Sequence, residues 1–216
     1  MIVYWILLLI VAFLAYAIGS ISTLRAASRF VFHKNLRRLG TGSAWISNFK
    51  RLFGWWGFAK LLLTEAVKDL IPILIGAAAL ALKHHAAVGA AFGGYCMLVG
   101  RLWPMYNRFR GTHHGCVALV VTAMTVDFSM GATAAVVMLA AIFLTRYLSV
   151  GAVAGAAIMV ITALLLVDDR LLMALSICSA GLIFLYHIPA LIRLSQGKEE
   201  RVSFEEDITY KLDEKF

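Results

Sequence analysis

Seven apolar runs constrain this chain more than any other feature: Ile2–Ile21, Trp55–Leu82, Ala86–Trp103, Cys116–Val126, Gly131–Thr145, Val150–Val167 and Leu171–Leu194. A helix needs about 20 apolar residues to cross the hydrocarbon core, where lipid offers backbone amides and carbonyls no hydrogen-bond partner. The expected fold class is therefore all-α: a polytopic integral membrane protein of about seven transmembrane helices. The fourth and fifth runs are short, which burial among neighbours or a wet cavity tolerates. Lys60, Glu65, Lys68 and Asp69 interrupt the second, so its first half is expected at the interface. The first run has no basic residue before Arg25 and is read as a retained helix rather than a cleaved leader. Composition agrees. Hydrophobic residues make up 62% and charged residues 15%, with mean hydropathy +0.85, against roughly 45–50% and 25% in soluble domains. Disorder is excluded and a soluble enzyme disfavoured.

The charge pattern gives orientation. Arg25–Arg51, Arg101, Arg108, Arg110, Arg146 and the segment from Arg193 onward fall on one side, and only Lys83 and Arg170 on the other. Cytoplasmic loops carry the excess of Lys and Arg, so the N-terminus is expected outside and the C-terminus in the cytoplasm. Residues 1–196 read as one helical membrane domain and 197–216 as a short polar cytoplasmic tail. The net charge of +8 then belongs to membrane loops and to a pocket for phosphate compounds, not to nucleic acid. Cys96, Cys116 and Cys178 read as buried small hydrophobes.

The polar segments share the cytoplasmic side. Gly40-Thr41-Gly42-Ser43 leads to Ser47, Asn48, Lys50 and Arg51. Small residues let backbone N–H groups converge, and hydroxyls with a following Arg suit a phosphate oxyanion. Arg101, Trp103 and Pro104 precede Arg110-Gly111-Thr112-His113-His114, a basic loop punctuated by Pro and Gly. His113, His114 and Cys116 match no standard zinc spacing, so no metal is expected. Arg146 and Ser149 lie at a helix boundary. On a helix His187, Ala190 and Arg193 share a face, and an intramembrane His is a functional candidate by default. Glu65, Lys68 and Asp69 lie about one turn apart, so mutual neutralisation is their expected role.

In order and spacing these pieces resemble the acyl-phosphate-dependent glycerol-3-phosphate acyltransferases, the PlsY family. Tyr16-x-x-Gly19-Ser20-Ile21 is similar to that family's first helix. Asn35–Arg51 is similar to its loop D-I-R-x-x-G-S-G-N-x-G-A-T-N-x-x-R, Glu65–Pro72 to D-x-x-K-G-x-x-P, and Gly100–His114 to G-H-x-F-P-x-F-x-x-F-K-G-G-K-G. Arg146–Ser149 has the form R-Y-x-S, and His187–Glu199 that of H-x-x-N-I-x-R-L-x-x-G-x-E. The resemblance implies a seven-helix membrane enzyme that moves an acyl group from acyl phosphate to the 1-hydroxyl of glycerol 3-phosphate, giving lysophosphatidic acid at the cytoplasmic face. It implies no metal and no cofactor. It casts Arg146, Ser149 and His187 as the catalytic set. The Gly40 loop, Ser47, Asn48 and Arg51 would hold phosphate, joined by Arg101, Arg110, Gly111, His113, His114 and Arg193. Several family positions differ: His113 or His114 stands for the loop Lys, Ala190 for the last Asn, Trp45 for a Gly, and Arg101 for a His. The alternative is a relative without catalysis that binds phospholipid precursors or a membrane-protein partner. A transporter fits less well, because the polar residues gather at one face rather than near mid-bilayer.

Overall fold

The computed structural model describes residues 2–26, 46–81, 84–109, 111, 115–199 and 201–202. Seven helices longer than one turn lie among the described residues. They are α1 (Ile2–Gly19), α2 (Ile46–Ala81), α3 (Ala86–Leu102), α4 (Gly115–Val126), α5 (Phe128–Thr145), α6 (Leu148–Leu166) and α7 (Arg170–Ser195). A single turn, Thr23–Ala26, follows α1, and a 3-10 turn, Met105–Asn107, follows α3. Each of the seven apolar runs carries one helix. Among the described residues, four helical stretches are long and apolar enough to cross a membrane: Ala86–Asn107, Phe128–Thr145, Leu148–Leu166 and Arg170–Ser195. Tyr4–Gly19 and Gly115–Val126 are shorter apolar helices.

Local chemistry sets the helix ends. The Asp127 carboxylate caps α5 by accepting from the Met130 N–H at 2.9 Å, which places the start of α5 before the expected Gly131. Asp169 caps α7, accepting from the Leu171 and Leu172 N–H groups at 2.7 and 3.2 Å. Gly197 ends α7 with φ +67°. Its N–H donates to the Leu194 carbonyl at 2.9 Å and the Lys198 N–H donates to Arg193 at 2.8 Å, the paired bonds of a Schellman cap. Inside α2, Gly54 takes φ 66° and ψ −171°, a region essentially reserved for glycine, and breaks the helix just before the expected apolar run.

Helix α3 is the hub, packed against α1, α2, α4 and α7. Small residues permit this. A Cβ on Gly89 would lie 2.1 Å from the Gly76 carbonyl oxygen, and one on Gly93 2.4 Å from that of Pro72. The α2–α3 crossing is thus backbone against backbone, as small-xxx-small pairs allow in membranes. Gly151 and Gly155 seat α6 on Met138 and Ile142 of α5 in the same way. Met97, Leu98, Leu102, Leu119, Met130, Met159 and Ile183 fill the centre. The outer surface is apolar: Leu9, Phe13, Leu144, Leu165 and Leu171 are all more than 60% exposed, which suits contact with lipid tails. Cys116 is buried and Cys96 half-buried, but Cys178 is exposed on that outer surface. The expectation of three buried thiols is corrected there, because an apolar helix gives no sign of which face meets lipid.

Candidate functional site

The motif segments meet where the last turns of α1, α3 and α7 approach the α5–α6 turn. At the end of α1 the Tyr16 hydroxyl donates to the Trp103 carbonyl at 2.9 Å. The Ser20 hydroxyl donates to the Tyr16 carbonyl at 2.8 Å, with the Gly100 carbonyl at 3.2 Å, and accepts from the Met105 N–H at 3.4 Å. These bonds fix the start of the loop that follows α3. A cavity of about 380 Å³ opens beside them, lined by Ser20, Ile21, Ser22 and Tyr106.

Behind this junction sits a buried ion cluster. Arg101 Nη1 donates to Glu65 Oε2, and Nη2 donates to Asp69 Oδ1. All three residues are less than 5% exposed. Lys68 donates to the Ile21 carbonyl at 3.0 Å and lies 3.7 Å from Asp69. The expected neutralisation within α2 therefore has an additional partner from α3. The expectation that Arg101 offers its charge to substrate meets a guanidinium already gripped by two carboxylates.

The loop after α3 is tightly wound. Arg108 and Phe109 both adopt left-handed backbone, with φ 53° and 57°, at roughly 1–2 kcal/mol per residue. Gly111 follows, where a Cβ would lie 2.1 Å from the Leu102 carbonyl oxygen and 2.9 Å from the Tyr186 hydroxyl. Its lack of a side chain brings the loop against α7.

On α7, Tyr186 stands edge-on to both Trp103 and His187, with ring centroids 6.1 and 5.5 Å apart. His187 is fully buried, and its Nδ1 lies 2.8 Å from the Ile183 carbonyl. A carbonyl only accepts, so this bond puts the proton on Nδ1 and leaves Nε2 as the acceptor nitrogen. Ala190 is buried one turn further on. Arg193 pairs with Glu199 at 2.9 Å. At the α5–α6 turn, Arg146 takes φ 62° and its N–H donates to Ile142 at 2.8 Å. The Ser149 hydroxyl is buried, with no hydrogen-bond partner among the described residues. The chain beyond α7 returns to this turn: the Val202 N–H donates to the Arg146 carbonyl at 2.7 Å, and Arg201 Nε donates to the Tyr147 hydroxyl at 3.0 Å.

The structure thus gathers Arg101, Gly111, Arg146, Ser149, His187 and Arg193 toward one end of the bundle. Gly40, Thr41, Gly42, Ser43, Arg110, His113 and His114 lie outside the described residues. Ser47, Asn48 and Arg51 fall in the first turns of α2, with side chains outside the described set. Tyr147, Tyr186 and Arg201 also make contacts at this end and were not among the expected site residues, although Tyr147 lies inside the Arg146–Ser149 segment. Tyr147 and Tyr186 adjoin chosen residues, which was the available signal, whereas Arg201 gave none.

A sequence profile described as glycerol-3-phosphate acyltransferase matches residues 9–197. The chain belongs to the glycerol-3-phosphate acyltransferase family. A glycerol-3-phosphate acyltransferase of Thermoanaerobacter sp. (strain X514) is 27% identical over 198 residues, covering 91% of this chain and 96% of that one. One from Pseudomonas fluorescens (strain Pf0-1) is 34% identical over 147 residues, 68% and 70% of the two chains. The fold matches the crystal structure of PlsY (YgiH), an integral membrane glycerol 3-phosphate acyltransferase, in its glycerol 3-phosphate form. The TM-score is 0.74 at 21% identity, over 91% of this chain and 96% of that one. The lysophosphatidic acid form matches equally, at TM-score 0.74 and 20% identity. Among the described residues this family member is all-helical, with four helical stretches long and apolar enough to cross a membrane.

Proposed function

We propose that this chain transfers an acyl group from an acyl phosphate to the 1-hydroxyl of glycerol 3-phosphate, releasing lysophosphatidic acid and inorganic phosphate. The observation that carries it is the family match over residues 9–197, with family motifs from four helices ending at one pole of the bundle. The glycerol hydroxyl attacks the acyl carbonyl carbon, the bond from that carbon to the phosphate oxygen breaks, and phosphate leaves. An acyl phosphate is already activated, so holding two anions in line and neutralising the leaving group supplies most of the acceleration. In this reading His187 Nε2 faces the attacking hydroxyl's proton, and Ser149 and Arg146 hold the reacting phosphate. Backbone donors of Gly40–Ser43 and Gly111, with Thr41, Ser47, Asn48, Arg51, Arg110, His113, His114 and Arg193, bind the two anions. No metal or cofactor takes part.

Seven crossings, an outer N-terminus and a cytoplasmic active face in the plasma membrane complete the proposal, supported by the one-sided distribution of Lys and Arg. Residues 1–196 are the membrane domain, and 197–216 form a tail whose first residues lean on it. The test is acyl transfer by purified protein from palmitoyl phosphate to glycerol 3-phosphate, with Arg51→Ala as control. Lysophosphatidic acid that vanishes in the control is the expected result. No product from folded protein sinks the assignment.

A further inference from the structure

The Arg101 cluster is the largest concentration of buried charge among the described residues. A charged side chain within an apolar bundle persists only with partners, and such residues mark function by default. Both Nη atoms of Arg101 point at carboxylates of α2, Glu65 and Asp69. With Lys68 beside Asp69, two cations face two carboxylates among the described residues. The clamp lies two residues before Trp103, whose carbonyl is held by Tyr16 of α1. Met105 is held by Ser20, and Gly111 rests on Leu102 and Tyr186 beside His187. The α3 end is therefore fixed from α2 by charge and from α1 by hydrogen bonds, and the loop departs from that fixed point toward α7.

We propose that Arg101 is a positioning residue for the acyl transfer: clamped between Glu65 and Asp69, it fixes the origin of the Trp103–Gly111 loop and lends no charge to the substrate phosphate. The role rests on the acyl-transfer reading above. A guanidinium matches two carboxylates at once through its fork of donors, which no other side chain supplies. Removing one partner strands buried charge, whereas removing a matched pair need not.

The experiment compares Arg101→Met with Glu65→Gln/Arg101→Met, scored per folded molecule by monodispersity in detergent. The double variant loses one charge of each sign and leaves Asp69 with Lys68. Positioning predicts that kcat falls in the single variant and returns to within about 3-fold of wild type in the double, with KM for glycerol 3-phosphate unchanged. A phosphate contact would instead leave KM raised about 10- to 100-fold in both variants, overturning the proposal. Unchanged kcat in the single variant would also overturn it, by reducing Arg101 to a stabilising residue. A second measurement needs no variant and no turnover. Wild-type protein is treated with phenylglyoxal, with and without glycerol 3-phosphate, and its arginines are read by mass spectrometry. Arg101 is expected to stay unmodified in both. Modification that glycerol 3-phosphate blocks would overturn the proposal, even where the acyl-transfer assay itself had failed.

Discussion

Gly19 of α1 packs directly on the Met97 carbonyl of α3, so closely that a Cβ would sit 2.1 Å from the oxygen. The contact is reciprocated three residues on, where a Cβ at Gly100 would meet the Tyr16 carbonyl at 2.2 Å. Both obstacles are backbone and cannot swing aside. Gly19→Ala and Gly100→Ala should therefore push α1 from α3 and break the Tyr16–Trp103 bond. Each is expected to lower the melting temperature in detergent and the activity together. Gly181 of α7 has no atom near its Cβ position, so Gly181→Ala should stabilise by about 0.5–1 kcal/mol through helix propensity alone. Equal behaviour of the three variants in a thermal melt would refute this account of the crossing.

His187 is held in one tautomer by the Ile183 carbonyl. Its replacement by Phe, which keeps the ring volume, should lower kcat by about 100-fold or more while the protein stays folded. Activity within a few-fold of wild type would remove His187 from the catalytic set.

Arg146 holds a left-handed backbone, and the returning chain braces it through the Val202 N–H. Val202→Pro deletes that donor and also restricts the backbone of the preceding Arg201, and Arg201→Ala deletes the bond and the cation–π contact to Tyr147. Each is expected to cost about 1 kcal/mol of local order, read as a several-fold loss of kcat/KM with an unchanged melting temperature. A loss of melting temperature without a loss of activity would show the brace to be structural only.

Asp127 lies in the turn between α4 and α5. The Ser129 hydroxyl, and then the Met130 N–H, hold its carboxyl below the ordinary carboxylate range. Because the folded value is depressed, the cap's contribution is fully present above the unfolded value of about 3.9 and fades as pH falls through the folded one. Asp127→Ala should remove about 1 kcal/mol near neutral pH. Its melting temperature should converge on that of wild type only under strong acid.

The helices were legible because each is written locally, as an apolar run bounded by charge, Gly or a capping Asp. Their ends were less so: the α5 start at Phe128 depends on a side chain of Asp127 that reads equally well as loop. The site was half legible. His187, Arg146 and Ser149 belong to compact motifs, and the fold draws them to one pole. The partner of Arg101 was not legible, since Glu65 and Asp69 lie 36 and 32 residues away along the chain and a carboxylate does not specify which cation it will meet. The docking of Arg201 was hidden for the same reason: a mixed-charge tail looks solvated until the turn it leans on is folded.

That docking has a consequence for how the protein is made. The contacts at the polar end join Tyr16 to Trp103, Trp103 to Tyr186, and the Arg146–Tyr147 turn to Arg201 and Val202. The first and last of these residues emerge from the ribosome almost a whole chain apart. No partly synthesised chain holds the assembled pole, so a nascent chain halted before the seventh helix would lack every contact that Tyr186, Arg201 and Val202 supply to it.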